Sequence, residues 1–335
     1  MRILPKLSRR EMLALGGIPA AGLIGWGLRQ LAGSPPEDSL DGLLLDRADV
    51  PLPDRPDLIR LQKLANGLAP LFSRLAPPQS DEWLAKHVEF GQTFAQFVTR
   101  LPDKLVDSYR RVCLAPLGDL TETQRRLLAD TADFLERCYG FPVEVLAPGS
   151  LADVPEQAQR PRESYGRQLQ SRHLLNEVLL PLREDDMAAV VGLTNCDLWT
   201  GDFDFLFGQG SHPQRVCICS VARFGDVDSG EVDYAACLRR TVGIAVHETG
   251  HVFGMPHCIA YSCRMNGSNN LRENDRRPVE YCPECLPKIW WSCGLDPAMR
   301  FSRLLEFATE HRLDAEARLW RDAGDRLAAA EKAES

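Results

Sequence analysis

The chain has 335 residues, 44% hydrophobic and 26% charged, with 39 basic against 47 acidic residues and a formal net charge of −8. That length and composition suit one large globular domain or two modest ones. The acidic balance, without a long basic run, excludes nucleic acid as an expected partner, and no repeat with a period of about 20 to 50 residues marks a solenoid.

The N-terminus differs from the rest. Arg2, Lys6, Arg9 and Arg10 precede an uncharged, mostly apolar run from Met12 to Leu28. The run is near the lower limit for a membrane span and long for a secretory core. Ser8, the pair Arg9 and Arg10, and then Glu11, Met12 and Leu13 resemble the twin-arginine export signal. Residues 1–33 therefore read as an export signal, or as an uncleaved membrane anchor through residues 12–28, since small residues suited to cleavage occur only near Ala32 and Gly33. The expected setting is the periplasm, or a membrane facing outside the cytoplasm. The alternative is a chance arginine pair before an amphipathic helix in a cytoplasmic protein. Residues 34–57, rich in proline and acid, read as a linker.

Residues 58–100 read as a helical region. Helical periodicity covers Leu58–Leu75, and a second helix is expected after a proline break, capped by Ser80 or Asp81. Strands are expected at Arg110–Gly118, Phe141–Gly149, Met187–Leu198 and Arg215–Gly225, with helices at Leu120–Gly140 (capped by Thr121), Glu163–Leu182 and about Tyr234–Phe253. The order strand, helix, strand suggests a parallel crossover. An α/β class follows, a mixed twisted sheet packed with helices over residues 101–299. Residues 300–335 read as an amphipathic helical tail that packs on this body.

The chemistry concentrates in "HETGHVFGMPHC". His247 and His251 are four apart, so on a helix both imidazoles point to one face and can share a zinc ion. Glu248 lies one step round, near the metal but not on it, where a carboxylate can take a proton from water. Gly254 can turn the chain sharply at the helix end, and Pro256 stiffens its return, so His257 approaches the same ion. Three histidines leave the fourth position open, as a catalytic site needs.

This pattern resembles that of the metzincin metallopeptidases. One branch, the archaemetzincins, continues from the third histidine with a cysteine at once, a second cysteine, a methionine two residues later and a CxxC pair. Cys258, Cys263, Met265, Cys282 and Cys285 keep that order, with the gap before Cys282 one residue shorter than the family's pattern. Segments at 77–84, 91–98, 114–118 and 141–146 look like those of the archaemetzincin-2 type, and those at 192–199, 205–210 and 220–224 like its later strands. The resemblance implies a zincin fold, a zinc peptidase acting on peptide or protein substrates, and a turn in which Met265 lies beneath the zinc. It also implies a rim strand before the active-site helix that pairs with extended substrate, for which Arg215–Phe224 is the candidate.

Four thiolates, Cys258, Cys263, Cys282 and Cys285, suit a closed tetrahedral zinc shell with a structural role. The expectation is thus two zinc ions per chain, one catalytic and one structural. Two disulfides are the rival in an exported protein. Cys113, Cys196, Cys217 and Cys219 read as buried thiols beside strands, Cys138 and Cys237 fall on helices, and Cys293 is a spare ligand candidate. His87, His173, His212 and His311 read as surface or satisfied histidines. A downstream glutamate as third ligand, Glu273 or Glu280, is an alternative within the same chemistry, and a zinc-stabilised binding protein with little turnover is one outside it.

Overall fold

Two apolar runs set the centre of the molecule. β1 (Arg111–Leu117) and β5 (Met187–Thr194) pair in parallel, and β5 is buried along its whole length. A strand covered on both faces needs no apolar–polar alternation, which is why β5 reads as a continuous run. Parallel pairing adds β2 (Val143–Val145) beside β1 and β9 (Val216–Ser220) beside β5. β8 (Gly208–Ser211) then runs antiparallel along β9 and forms an edge of the five-stranded sheet. The computed structural model describes residues 50–201 and 203–334. The expected export signal at 1–33, its apolar run at 12–28 and the linker up to residue 49 lie outside the described residues.

The crossover from β1 to β2 is the expected Thr121-capped helix, Glu122–Tyr139. Thr121 and Gln124 form a reciprocal capping box, and Gly140 ends the helix at φ 73°. Each device satisfies backbone groups that a helix end leaves open. The inward side chains of β1 alternate between two apolar clusters. Val112 and Leu114 join the larger, and Cys113, Ala115 and Leu117 the smaller. The larger cluster includes the inner face of a 19-residue helix, Tyr234–Val252, which Asp233 caps through the Ala235 N–H. This helix packs on β8, β9 and the Glu122–Tyr139 helix, so the sheet sets its height and direction.

A second sheet has the order β3 (Gln159–Arg162), β4 (Gly166–Gln170), β6 (Asp197–Thr200), β7 (Phe203–Leu206). It corrects two expectations. The helix expected over Glu163–Leu182 begins as β4, because buried Gln168 donates to Asp197 at 2.8 Å and to the Leu198 carbonyl, interactions that a local pattern does not contain. Helical turns start only at Ser171. The single strand expected over Met187–Leu198 breaks after Thr194, and its halves, β5 and β6, belong to different sheets.

A third correction concerns Ser80 and Asp81, which cap no helix. One turn, Trp83–Lys86, follows Glu82, and the next helix is Phe94–Arg100, with Thr93 as its cap. The first helix among the described residues, Pro56–Gly67, stops short of the expected Leu75 and gives way to a turn at Ala69–Leu71. The C-terminal residues form two helices, Pro297–Glu310 and Asp314–Glu334, packed on each other. From the first, buried Arg300 pairs with Glu280 at 2.7 Å, and from the second Trp320 donates to the same carboxylate at 2.8 Å. Among the described residues, no helix is long and apolar enough to cross a membrane.

Candidate metal centre

The helix Tyr234–Val252 brings His247 and His251 to one face, with their Nε2 atoms 3.1 Å apart. The helix then ends in paired bonds, Gly254 N–H to the His251 carbonyl and Met255 N–H to the Gly250 carbonyl, each 3.0 Å. That pairing requires a left-handed residue, and Gly254 supplies it at φ 90°. The reversed chain brings His257 back, and the three histidines offer ligand nitrogens that all lie within 4.8 Å of one another.

Each outer nitrogen of these rings is engaged. His247 Nδ1 lies 2.7 Å from the Arg264 carbonyl, His251 Nδ1 2.8 Å from the Met255 carbonyl, and His257 Nδ1 2.7 Å from Glu89 Oε1. An oxygen acceptor requires the proton on Nδ1, which leaves Nε2 a bare lone pair. Burial, followed by the neighbouring imidazoles, holds His247 well below its ordinary pKa, and the same causes hold His251 down at about 3. Both rings are therefore neutral, and two lone pairs face each other across 3.1 Å. Unshielded, that approach is repulsive. A tetrahedral zinc shell sets nitrogen ligands about 3.3 Å apart, so the spacing suits a cation between the rings.

Glu248 is buried beneath the edge strand and accepts a backbone hydrogen bond from Gly210. Burial raises its carboxyl to about 8. β8 can lie this close because of its two glycines. A Cβ on Gly208 would stand 2.6 Å from Glu248 Cγ, and one on Gly210 would stand 2.9 Å from His251 Cβ. The expected rim, Arg215–Phe224, is corrected here. Its strand β9 is interior, hydrogen-bonded on both sides, whereas β8 is the edge and lies over the helix. The spacing of Gly208 and Gly210 was the available signal, since residues two apart in a strand share a face.

Below the histidines, Met265 is fully buried against the helix. A Cβ on Gly250 would come within 2.5 Å of Met265 Sδ. Asn266 holds the loop around it. Its Oδ1 accepts from Cys263 N–H at 2.8 Å, and its Nδ2 donates to the Cys258 and Tyr261 carbonyls at 2.7 and 3.0 Å.

Cys258, Cys263, Cys282 and Cys285 converge, buried, with sulfurs within 4.8 Å of one another. The Cys258 and Cys282 sulfurs are 3.6 Å apart. That is far beyond a bonded pair and close to the spacing of about 3.8 Å in a tetrahedral thiolate–zinc shell. Cys263 Sγ accepts the backbone N–H groups of Met265 and Cys282 at 3.4 and 3.3 Å, contacts that favour a thiolate. Hydrogen bonds from the other three cysteines hold Cys258 well below its ordinary pKa, while burial raises Cys263 and Cys282. The eleven cysteines are all free.

The remaining candidates fall away from both groups. Glu273 accepts the Trp83 and Asn269 N–H groups, and Glu280 is occupied by Arg300 and Trp320. Cys293 is buried beside Ser292. His212 bonds the Val252 carbonyl at 2.8 Å. His311 lies with Asp133 and Glu310 in a third group of ligand type, but Arg137 already pairs with both carboxylates at 2.9 and 3.2 Å. The residues that sequence reasoning missed are Glu89, Asn266, Gly208 and Gly210.

A model of peptidase family M54 matches residues 144–290. Archaemetzincin-2 of Mus musculus is 28% identical over 277 residues, covering 71% of this chain and 75% of its own length. The archaemetzincin of Methanopyrus kandleri is 34% identical over 139 residues, covering 41% of this chain and 76% of its own length. The crystal structure of that protein matches with 28% identity over 56% of this chain and 97% of its own, at a TM-score of 0.45.

Proposed function

The chain belongs to the archaemetzincins, peptidase family M54, and on that premise we propose how this zinc metallopeptidase hydrolyses peptide bonds. His247, His251 and His257 would hold the catalytic zinc. When bound, the ion supplies a Lewis acid that lowers the pKa of water toward about 7 and polarises a carbonyl. Glu248 takes the water's proton as its oxygen attacks the scissile carbonyl carbon, and then gives that proton to the leaving nitrogen. Burial raises the Glu248 carboxyl, and a neighbouring cation would oppose that rise. The Gly210 N–H keeps the carboxylate aimed. The free edge of β8 takes an extended peptide as an added strand. Cys258, Cys263, Cys282 and Cys285 would hold a second, structural zinc. The observation that carries this reading is the pair of bare Nε2 atoms 3.1 Å apart with Glu248 beside them.

The test is peptide cleavage by the parent and by Glu248→Gln, with zinc counted in both. The parent should cleave and hold close to two zinc ions. The variant should keep both ions and lose about 10²- to 10⁴-fold in kcat. Cleavage that survives in the variant would rule out Glu248 as the base.

We also propose that residues 1–33 export a folded body whose metals are already in place, with 34–57 as linker, 58–100 as helical region, 101–299 as catalytic domain and 300–335 as helical tail. Changing Arg9 and Arg10 together to lysine keeps the charge but removes the guanidinium groups. Fractionation should then find the chain retained in the cytoplasm. Equal export of parent and variant contradicts a twin-arginine signal.

A further inference from the structure

The three histidines are not held alike. His247 and His251 sit on a helix and donate to backbone carbonyls, but His257 sits on a loop and donates to a side chain 168 positions away, Glu89. Glu89 Oε1 also accepts the indole N–H of Trp83 at 2.9 Å. Trp83 packs edge-on against His257, with ring centroids 5.2 Å apart.

The segment carrying Trp83 and Glu89 is itself fastened to the loop that holds Met265. The Trp83 backbone N–H donates to both oxygens of Glu273 at 3.1 and 3.2 Å. That buried carboxylate also receives Asn269 N–H at 2.8 Å and pairs with Arg277 at 3.2 Å. The indole lies on Gly267, where a Cβ would fall 2.4 Å from the ring. Between the anchors, Glu89 turns inward while its neighbours Val88 and Phe90 are exposed, the alternation of an extended chain. The whole segment precedes residues 144–290, the stretch the M54 model matches.

We propose that Glu89 is the positioning residue of the third zinc ligand, and that Trp83–Glu89 is a strap, supplied from outside the matched region, which completes the catalytic metal shell. This rests on the reading of His247, His251 and His257 as zinc ligands. Glu89 holds the proton on His257 Nδ1, keeps Nε2 aimed at the metal and makes that nitrogen a stronger donor through its own charge. Losing such an outer partner typically lowers metal affinity by about 10- to 100-fold.

The experiment is zinc competition with a chromogenic chelator on the full chain, comparing the parent, Glu89→Ala, Glu89→Gln, Trp83→Phe and His247→Ala. The expected result for Glu89→Ala is an affinity loss of about 10- to 100-fold at the histidine site. Glu89→Gln should lose less, since its amide oxygen still accepts the hydrogen bond without the charge. Trp83→Phe should lose least, keeping the ring but not the N–H. The cysteine-bound zinc should stay at the parental amount in all of them, which separates a fault at His257 from general unfolding. Should Glu89→Ala lose the cysteine zinc as well, the milder Glu89→Gln decides. Parental affinity in Glu89→Gln and in a folded Glu89→Ala overturns the strap alone. A parent whose zinc content His247→Ala leaves unchanged overturns the ligand reading, and the strap with it.

Discussion

His247 and His251 stand on a helix, whereas His257 and Met265 stand on a loop. The helix needs little help, because a spacing of four residues fixes the relative direction of two side chains once the backbone is helical. The loop has no such period. Its geometry comes partly from within, from the three hydrogen bonds of Asn266, and partly from outside its own stretch of chain, from Cys282 and Cys285 of the cysteine cluster and from Glu280, which Arg300 and Trp320 hold just before Cys282. A site half built on each kind of support should respond differently when each support is removed.

The largest effect should come from Cys282→Ser set beside Glu248→Gln. The first opens the four-cysteine shell proposed for a structural zinc, a metal that contributes on the order of 10 kcal/mol to folding in small zinc domains, so several kcal/mol of stability should go and the zinc proposed at the histidines with it. The second removes only a buried carboxyl, leaves an isosteric amide and should not lower the melting temperature. Thermal unfolding with zinc counted at each step compares the two. If Cys282→Ser melts as the parent does, the loop holds its shape without the cysteines, and the contrast between the two halves disappears.

How far the site was legible follows the same division. The spacing of His247, His251, Gly254 and His257 was readable because helix period and helix termination are local rules. The four cysteines were readable as a set because CxxC spacing carries a ligand geometry of its own. Glu89 was not, since nothing near residue 89 announces a partner at residue 257. The segment around it reads as helix, but the structure keeps only the turn Trp83–Lys86 before the Phe94–Arg100 helix, with Glu89 and Trp83 bound to distant groups. The Gly208 and Gly210 pair was legible only as a spacing. Their small size matters only once the Tyr234–Val252 helix lies across β8, and that crossing is a property of the packed sheet. Gln168 redirected β4 in the same way, through a contact with Asp197 that lies in another strand.

Gly250 joins the two halves and sharpens the comparison. It lies in the helix, where alanine would by propensity be better by about 1 kcal/mol. Its missing side chain, however, is the space that Met265 Sδ occupies, 2.5 Å from where a Cβ would be. Gly250→Ala should therefore destabilise by about 1 to 3 kcal/mol through overpacking. In a Met265→Ala background the same change should cost much less, or stabilise. Denaturant unfolding of the four chains measures the coupling. Additive effects would mean that the loop does not press on the helix here.

The smallest effect separates two reasons for the glycine at the helix end. Gly254 has φ 90°, and a Cβ on it would also meet Leu101 Cδ1 at 2.4 Å. Alanine and asparagine place the same Cβ there, so the contact with Leu101 costs both variants alike. They differ in backbone tolerance, because asparagine enters the left-handed region more readily than alanine. Gly254→Asn should thus be more stable than Gly254→Ala by about 0.5 to 1 kcal/mol, with both below the parent. The difference should also appear in zinc affinity at the histidines, since the turn at Gly254 is what returns His257 to the helix end. If the two variants unfold together, it is space beside Leu101, and not the backbone angle, that requires glycine, and replacing Leu101 with alanine should then restore most of the loss in each.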